Sequence, residues 1–284
     1  MILTPGPLSL YSHDRDAAGL VYVYPVLSRR AGGVSIGINL NPNNACNWHC
    51  VYCQVPGLVR GKAPPIDLDL LERELEGFLV WLVREGGLEQ YAPEGQRRIC
   101  DIAFSGNGEP TSAREFAQAV ERVVDIRARL GLEKDVIIRL ITNGSLMAQA
   151  NVQAGIAALG QAGGEVWFKV DAGTRAEIAR TNGVMLDPRV IARHLASCAS
   201  LCRTWVQTCL FRWDGAAPDE YAIAAYIDVL ETAGMEKLAG VLLYGIARQS
   251  MQAEAVHLSA LDEHELEAVA VRLRSAGLTV AVSP

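Results

Sequence analysis

The stretch Ser35–Gln54, SIGINLNPNNACNWHCVYCQ, runs from a strand-like segment directly into a loop that carries three cysteines. Cys46, Cys50 and Cys53 are separated first by three residues and then by two. A structural zinc site usually takes its cysteines from two closely spaced pairs, and a buried face repeats its apolar residues with the period of a helix or strand. The spacing fits neither pattern, so it indicates a different kind of thiol chemistry.

Strand-like and helix-like segments alternate from about residue 35 to the end of the 284-residue chain. Repeated strand–helix pairs predict a parallel sheet with right-handed crossovers, and this length suits one domain. The predicted fold is α/β, a partial open (β/α)6 barrel over residues 34–284. Residues 1–33 are predicted to be a short N-terminal extension of the same domain, with VYVYP as a candidate for an added strand.

Two helices have predicted start signals. The segment IDLDLLERELEGFLVWLVRE is typical of a helix, with Asp69 as a candidate N-cap. The segment DPRVIARHLASCASL is typical of another, with Pro188 at its first position.

Polar and glycine-rich segments follow the predicted strands, where each strand ends. They are SGNGEPT (105–111), TNGS (142–145), KVDAGT (169–174) and the pair Gln207-Thr208. Parallel α/β folds bind ligands at the carboxyl ends of their strands. These segments and the cysteine loop are therefore predicted to meet in space.

Composition narrows the class of protein. The net charge of −6 argues against an extended nucleic-acid surface. The N-terminus has no basic segment followed by an apolar core, and the longest apolar run, FLVWLV, is far shorter than the roughly 18 residues of a membrane span. We expect no membrane association and a cytoplasmic location, in which the seven cysteines are reduced thiols, metal ligands or core residues.

Three thiolates on one short loop can bind three corners of a cubane iron–sulfur cluster. Three ligands leave one iron with an open position, the condition for a metal that binds substrate directly. The alternatives are structural cysteines or a partial zinc site with His49 as a fourth ligand. His49 adjoins Cys50, which makes joint tetrahedral ligation awkward, so we expect a 4Fe-4S cluster on Cys46, Cys50 and Cys53.

These cysteines, with Tyr52 before the last, resemble the CxxxC-x-aromatic-C cluster motif of the radical S-adenosylmethionine (radical SAM) superfamily. The resemblance implies that the open iron is chelated by the amino and carboxylate groups of S-adenosylmethionine. One electron then cleaves the sulfonium, and the 5′-deoxyadenosyl radical abstracts hydrogen from a substrate. We expect an external flavodoxin- or ferredoxin-type donor, because the chain shows no flavin or nicotinamide fingerprint.

A closer resemblance runs over nearly the whole chain, to the wyosine-synthetase-type iron–sulfur oxidoreductases. It is carried by PVLSRRAGGVSIGINLNPNNACNWHCVYCQ, FSGNGEPT, ITNGSL, FKVDA, VQT and LYGIARQ. The resemblance implies cofactor contacts from the backbone of the glycine-rich segment to the methionine amino group, from an aromatic ring to the adenine, and from polar residues to the carboxylate and ribose. The glycine-rich segment is Gly106, Asn107, Gly108 and Glu109, and the aromatic ring is that of Tyr52. The polar residues are Asn143, Lys169 and Asp171.

The substrate stays open between a tRNA base, as the resemblance implies, and a small molecule or peptide, which fits the charge better. No cysteine precedes Cys46 to hold the second cluster of the pyruvate-using wyosine synthetases, and Lys62 is the conceivable counterpart of their Schiff-base lysine. A rival from another class is a non-catalytic iron–sulfur protein for electron transfer or iron sensing. It explains the cysteines but not the strand-end segments.

The remaining cysteines and several basic residues have two interpretations each. A second cluster is one interpretation of Cys198, Cys202 and Cys209, but their apolar neighbours favour buried cysteines, and Cys100 is also expected in the core. The pair Arg29-Arg30 fits either an anion site or a structural salt bridge. Further basic residues lie on predicted loops, and an anionic substrate is favoured if they cluster near the site: Arg60, Lys62, Arg97 and Arg98.

Overall fold

The computed structural model describes residues 18–28 and 32–283. Within these ranges one sheet has eight strands, namely β1 (Val23–Ser28), β2 (Gly33–Ile38), β5 (Ile99–Phe104), β6 (Ile137–Thr142), β7 (Glu165–Lys169), β8 (Arg203–Cys209), β10 (Gly240–Tyr244) and β12 (Val280–Ser283). Their order is β1-β2-β5-β6-β7-β8-β10-β12, and only β1 is antiparallel to its neighbour. The mostly parallel α/β sheet is confirmed, whereas its closure toward a partial barrel stays a prediction.

The helices of the described ranges follow the strands in the predicted alternation. They are α1 (Leu68–Arg84), α2 (Gly87–Tyr91), α3 (Phe116–Arg129), α4 (Ala150–Gln161), α5 (Arg175–Asn182), α6 (Pro188–Leu201), α7 (Glu220–Ala233) and α8 (Glu263–Ser275). Successive long helices pack against one another, α1 on α3, α3 on α4, α4 on α6 and α6 on α7. This continuous helical layer leaves the other face of the sheet free to line a cavity.

Of the two predicted helix starts, the one at Pro188 is confirmed and the N-cap at Asp69 is wrong. Pro188 is the first residue of α6, where its missing N–H costs nothing, and Asp187 caps that helix. The N-cap of α1 is Asp67 rather than Asp69, because the Asp67 carboxylate accepts a hydrogen bond from the Leu70 N–H at 2.9 Å. Asp69 lies in the first turn, where a negative charge still favours the helix dipole.

The two faces of the sheet differ in chemistry because side chains alternate along each strand. On β5, Ile102 and Phe104 are fully buried in the apolar core. Asp101 and Ala103 of the same strand line a cavity on the opposite face. The same alternation on β6, β7 and β8 places polar side chains beside the cavity while the core stays apolar.

Short additional elements surround the ends of the strands. β3 (Ala45–Cys46) pairs with β4 (Val59–Arg60), and β9 (Phe211–Trp213) pairs with β11 (Leu258–Ala260). Neither these pairs nor the short helix α5 was predicted from the sequence. The added strand expected in VYVYP is confirmed as β1.

One continuous cluster of buried apolar side chains extends from Ala18 to Leu278. The division into a single domain stays a prediction, and residues 1–17 of the expected extension lie outside the described residues, as does the pair Arg29-Arg30. Among the helices that the structure describes, none has the length and apolar character needed to cross a membrane.

Candidate active site

A cavity of about 450 Å³ opens at the carboxyl ends of the central strands. It is lined by ten of the eleven residues predicted for the site, namely Cys46, Cys50, Tyr52, Cys53, Gly106, Asn107, Gly108, Glu109, Asn143 and Lys169. Asp171 does not line this cavity but accepts a hydrogen bond from the Tyr52 hydroxyl. The structure therefore brings together segments that lie more than 100 residues apart in sequence.

The cysteine loop rests on the end of α5. The N–H groups of His49 and Val51 donate to the carbonyls of Asn182 and Thr181 at 3.0 and 2.9 Å. The Asn182 amide also donates to the Cys50 sulfur at 3.4 Å. The residues that contact the loop belong to the sequence TNG at the end of α5. The glycine of this sequence, at φ +66°, is the feature that could have predicted a helix end here.

All three loop thiols are unpaired and partly buried, and all three face the cavity. Burial raises the pKa of Cys46 to about 11 and the pKa of Cys50 to about 12. Burial thus favours the protonated form of both thiols, and ligation of a metal would displace the protons.

The alternative of a single shared metal ion has no geometric support in the described residues. No three His, Cys, Asp or Glu side chains there are grouped to hold one ion. The imidazole of His49 instead lies 3.7 Å from the carboxylate of Glu254. The three thiols come from one loop and face one cavity, and a cubane can take ligands from such a loop at three separate corners.

Glu109 joins the glycine-rich segment to the TNGS segment. Its buried carboxylate accepts hydrogen bonds from the Thr111 N–H and hydroxyl, at 3.1 and 2.7 Å. It also accepts from the Thr142 hydroxyl at 2.6 Å and from the Asn143 N–H at 2.7 Å. Burial raises the pKa of Glu109, and these donors oppose that shift. The side chain thus organises two loops, a role that the sequence did not indicate.

The glycines of the same segment allow it to approach the cysteine loop closely. Gly106 has φ +135°, and a Cβ there would lie 2.5 Å from the Asn39 side-chain oxygen. A Cβ on Gly108 would lie 2.0 Å from the Ala45 carbonyl. Asn107 donates from its backbone to Asn39 at 3.1 Å. Glycine is therefore required by packing between the loops, in addition to any contact with a ligand.

Asn143 connects the third strand end to the cysteine loop. Its side-chain amide donates to the Asn47 oxygen at 2.9 Å, and its own oxygen accepts from the Ser145 N–H at 3.0 Å. Asn47 in turn donates to the Ser145 hydroxyl at 2.7 Å. Asn47 was not predicted as a site residue, and nothing in its spacing distinguishes it from other loop asparagines.

Lys169 and Asp171 have separate partners. The Lys169 ammonium lies 3.2 Å from the Tyr244 hydroxyl and 4.9 Å above the Tyr52 ring. Burial alone would lower the pKa of Lys169, but the acidic groups around it, Tyr244 and Asp171 among them, raise it. Asp171 accepts from Tyr52 and from the Cys209 N–H, the latter at 3.0 Å. The ammonium is thus a partly buried cation next to the cavity.

The second set of cysteines does not converge. Cys198 and Cys202 are buried on the helical side of the sheet, where they contact Thr204 and the Gly164 carbonyl. Cys209 is also buried, yet it lines the cavity with the loop cysteines. The sequence predicts Cys209 in the core because its neighbours are apolar. The alternation of side chains along β8 turns it toward the cavity instead.

The basic loop residues that were predicted from the sequence do not line the cavity. Arg60 donates to the carbonyls of Asn47 and Gly183, at 2.8 and 2.6 Å, and so supports the cysteine loop from outside. None of the four predicted basic loop residues, all within the described ranges, belongs to the cavity lining: Arg60, Lys62, Arg97 and Arg98. Arg248 lines the cavity and was not singled out in the sequence.

Comparison with known proteins gives partial matches in sequence. No family model matches the chain. A segment of 130 residues is 26% identical to the GTPase Obg of Brachyspira hyodysenteriae, covering 46% of this chain and 16% of that protein. A segment of 129 residues is 30% identical to the UPF0026 protein MJ1312 of Methanocaldococcus jannaschii, covering 45% of this chain and 35% of that protein. The chain therefore matches well under half the length of either relative.

Comparison with solved structures concerns the whole fold. A radical SAM methyltransferase from Sphaerobacter thermophilus superposes with a TM-score of 0.57 at 14% identity, covering 92% of this chain and 68% of that one. The radical S-adenosylmethionine methyltransferase TsrM from Kitasatospora setae superposes with a TM-score of 0.49 at 16% identity, covering 75% of this chain and 36% of that one. The chain thus shares its mostly parallel α/β fold with the Sphaerobacter thermophilus protein. At this identity the likeness establishes the fold and not the reaction.

Proposed function

We propose that this protein is a radical SAM enzyme, in which Cys46, Cys50 and Cys53 hold a 4Fe-4S cluster with one open iron. The observation that carries the proposal is the single cavity shared by these thiols and the strand-end residues. When bound, the cluster and S-adenosylmethionine supply a reductive cleavage that yields a 5′-deoxyadenosyl radical, which abstracts hydrogen from the substrate.

The chain's own residues are suited to hold the cofactor. The ammonium of Lys169, which lines the cavity, offers a positive charge for a carboxylate. The ring of Tyr52 forms an aromatic wall, and the glycine-rich segment from Gly106 to Gly108 brings backbone close to the cavity. Asn143 and Asp171 complete the proposed set, Asp171 by fixing the Tyr52 hydroxyl.

For the substrate, the geometry favours a small molecule or peptide over a tRNA base. A polyanion is best bound by a wide basic rim, whereas the four predicted basic loop residues are not in the cavity lining and Arg248 alone of the basic loop residues described belongs to it. The partial barrel, the cytoplasmic location and an external flavodoxin- or ferredoxin-type donor remain parts of the proposal that rest on the sequence, and a wyosine-type reaction on a tRNA base is its alternative.

The test is anaerobic reconstitution with iron and sulfide, followed by S-adenosylmethionine and dithionite. We expect about four irons and four sulfides per chain, the composition of a cubane, and formation of 5′-deoxyadenosine. Cys50→Ala should lose both, whereas Cys198→Ala, a buried cysteine remote from the cavity, should keep both. An intact cluster without 5′-deoxyadenosine would support the alternative, a non-catalytic electron-transfer or iron-sensing protein.

A further inference from the structure

Asn182 is a buried side chain whose amide contacts a cysteine of the loop. It is 1% exposed and lies at the end of α5. Its side-chain nitrogen donates to the Cys50 sulfur at 3.4 Å and to the Asp171 carboxylate at 2.8 Å. An amide nitrogen carries two hydrogens, so both bonds are made at the same time. One acceptor of this buried amide is therefore a thiol assigned to the proposed cluster.

The Asp171 carboxylate determines which end of the amide faces the thiol. One of its oxygens accepts from the Cys209 N–H at 3.0 Å, and the other accepts from Tyr52 and Asn182. A carboxylate accepts hydrogen bonds and does not donate them, so an amide turned by a half circle would place its oxygen against an acceptor. The nitrogen of Asn182 is thus held toward Cys50. Outer residues that are themselves hydrogen-bonded in this way orient and tune the ligands of metal sites.

Two loop thiols accept hydrogen bonds from donors of different kinds. Cys46 accepts from the backbone N–H of Trp48 at 3.5 Å, whereas Cys50 accepts from the side chain of Asn182. The backbone donor stays when the side chain of Trp48 is replaced. The donor to Cys50 can be removed by one substitution, which makes its effect measurable.

A hydrogen bond to a cysteine sulfur stabilises negative charge on that sulfur. Ligation of a metal removes the thiol proton, and the resulting thiolate is a stronger acceptor than the thiol. Reduction of a cluster adds one more negative charge, so the bond stabilises the reduced state more than the oxidised state. Hydrogen bonds to the sulfurs are among the factors that set the reduction potential of iron–sulfur clusters.

We propose that Asn182 is a positioning residue that raises the reduction potential of the proposed cluster through its hydrogen bond to Cys50, and that Asp171 orients it. The inference rests on the proposed function and adds to it a residue that makes the cluster easier to reduce. The electron comes from the external flavodoxin- or ferredoxin-type donor, which loses one electron as the cluster gains one.

The test is a potentiometric titration of the reconstituted cluster in the absence of S-adenosylmethionine, followed by electron paramagnetic resonance of the reduced cluster. Asn182→Leu keeps a branched side chain of similar size and removes the donor, and Asn182→Ala removes the donor without adding bulk. The Asn182 carbonyl, which accepts from the His49 N–H at 3.0 Å, stays in both variants.

Both variants should have a more negative potential than the wild type. At a fixed potential, the ratio of reduced to oxidised cluster should fall by about three- to tenfold, because a hydrogen bond to a charged group is lost and both redox states share part of that loss. A tenfold change equals about 59 mV for a one-electron couple.

Asn43→Ala is the matched control. Asn43 lies shortly before Cys46, and its amide donates to the Lys62 carbonyl at 3.1 Å rather than to a sulfur. This variant should have the potential of the wild type. A potential that is unchanged or less negative in both Asn182 variants, or an equal shift in Asn43→Ala, would refute the inference. Loss of iron and sulfide from both Asn182 variants would also overturn it, since the residue would then hold the loop rather than set the potential.

The outcome is separable from that of the proposed function. Iron and sulfide content and 5′-deoxyadenosine formation test the cluster and the cleavage, whereas the potential is measured without S-adenosylmethionine. A wild-type cluster whose potential does not change in the Asn182 variants refutes the role of Asn182 alone. A wild-type chain that binds no cluster refutes both proposals.

Discussion

Glu109 provides the sharpest test of how the site is organised, because one side chain satisfies donors from two loops. In Glu109→Ala, the N–H groups of Thr111 and Asn143 lose their acceptor in a buried environment. Each orphaned buried N–H costs roughly 1–3 kcal/mol, so the free energy of unfolding should fall by about 2–6 kcal/mol. The hydroxyls of Thr111 and Thr142 can rotate toward other acceptors and add less.

Glu109→Gln separates the two oxygens of the carboxylate. One oxygen accepts from Thr111 and Thr142, and the amide keeps an equivalent. The other accepts from the Asn143 N–H and is replaced by a donor. We expect a loss of roughly 1–3 kcal/mol, the cost of one unsatisfied group.

The assay is equilibrium urea unfolding followed by circular dichroism, with Glu121→Ala on the exposed face of α3 as the control. Domains of this kind unfold with about 5–15 kcal/mol, so a loss of this size moves the transition clearly. Equal midpoints for wild type, Glu109→Ala and Glu109→Gln would refute the assignment of Glu109 as the residue that joins the two loops.

Three further results are expected. Iron and sulfide analysis should show loss of the cluster in Cys46→Ala, Cys50→Ala and Cys53→Ala. The cluster should be retained in Cys198→Ala and Cys202→Ala, and iron loss in these two variants would show that they hold metal. Gly144→Ala should lower the free energy of unfolding by about 1–3 kcal/mol more than Gly131→Ala does. Both glycines have φ near +70°, but only at Gly144 would a Cβ lie against the Phe168 ring, at 1.9 Å. Equal melting temperatures for the two variants would contradict this. Burial lowers the pKa of His194 below 6.5, despite the hydrogen bond of the imidazole to the Gly144 carbonyl. The unfolded chain therefore takes up more protons, and the stability of the wild type should decrease as the pH falls below 6.5. In His194→Asn, the urea midpoint should lack this decrease.

The sheet was predictable because its strands are short, apolar and separated by long amphipathic segments, a pattern that depends on local sequence alone. The cap of α1 was assigned to the wrong residue because Asp67 and Asp69 are both acidic and lie two positions apart, and only the hydrogen bond to Leu70 decides between them. The helix α5 was missed because it has eight residues and little apolar character, so no periodic signal could arise.

The convergence of the strand-end segments was predictable from topology, since parallel strands end at one edge of the sheet. The residues that connect those segments were not. Asn39, Asn47 and Asn182 each hold a loop through one or two hydrogen bonds to residues far away in sequence. Gln207 was predicted only as a strand residue. Its side-chain oxygen has no hydrogen-bond partner among the described residues, and this can be established only from the three-dimensional positions of all nearby donors.

The cysteine loop is held by two segments that come later in the chain. Besides α5, the segment after β10 holds it, since the Ser250 hydroxyl donates to the Val51 carbonyl at 2.6 Å and the Gln252 amide donates to the Cys53 carbonyl at 3.1 Å. These contacts satisfy the backbone of the loop and leave its thiols facing the cavity. The position of the loop is therefore fixed by hydrogen bonds from α5 and from the segment after β10, and its thiols are left to supply the ligands of the proposed cluster.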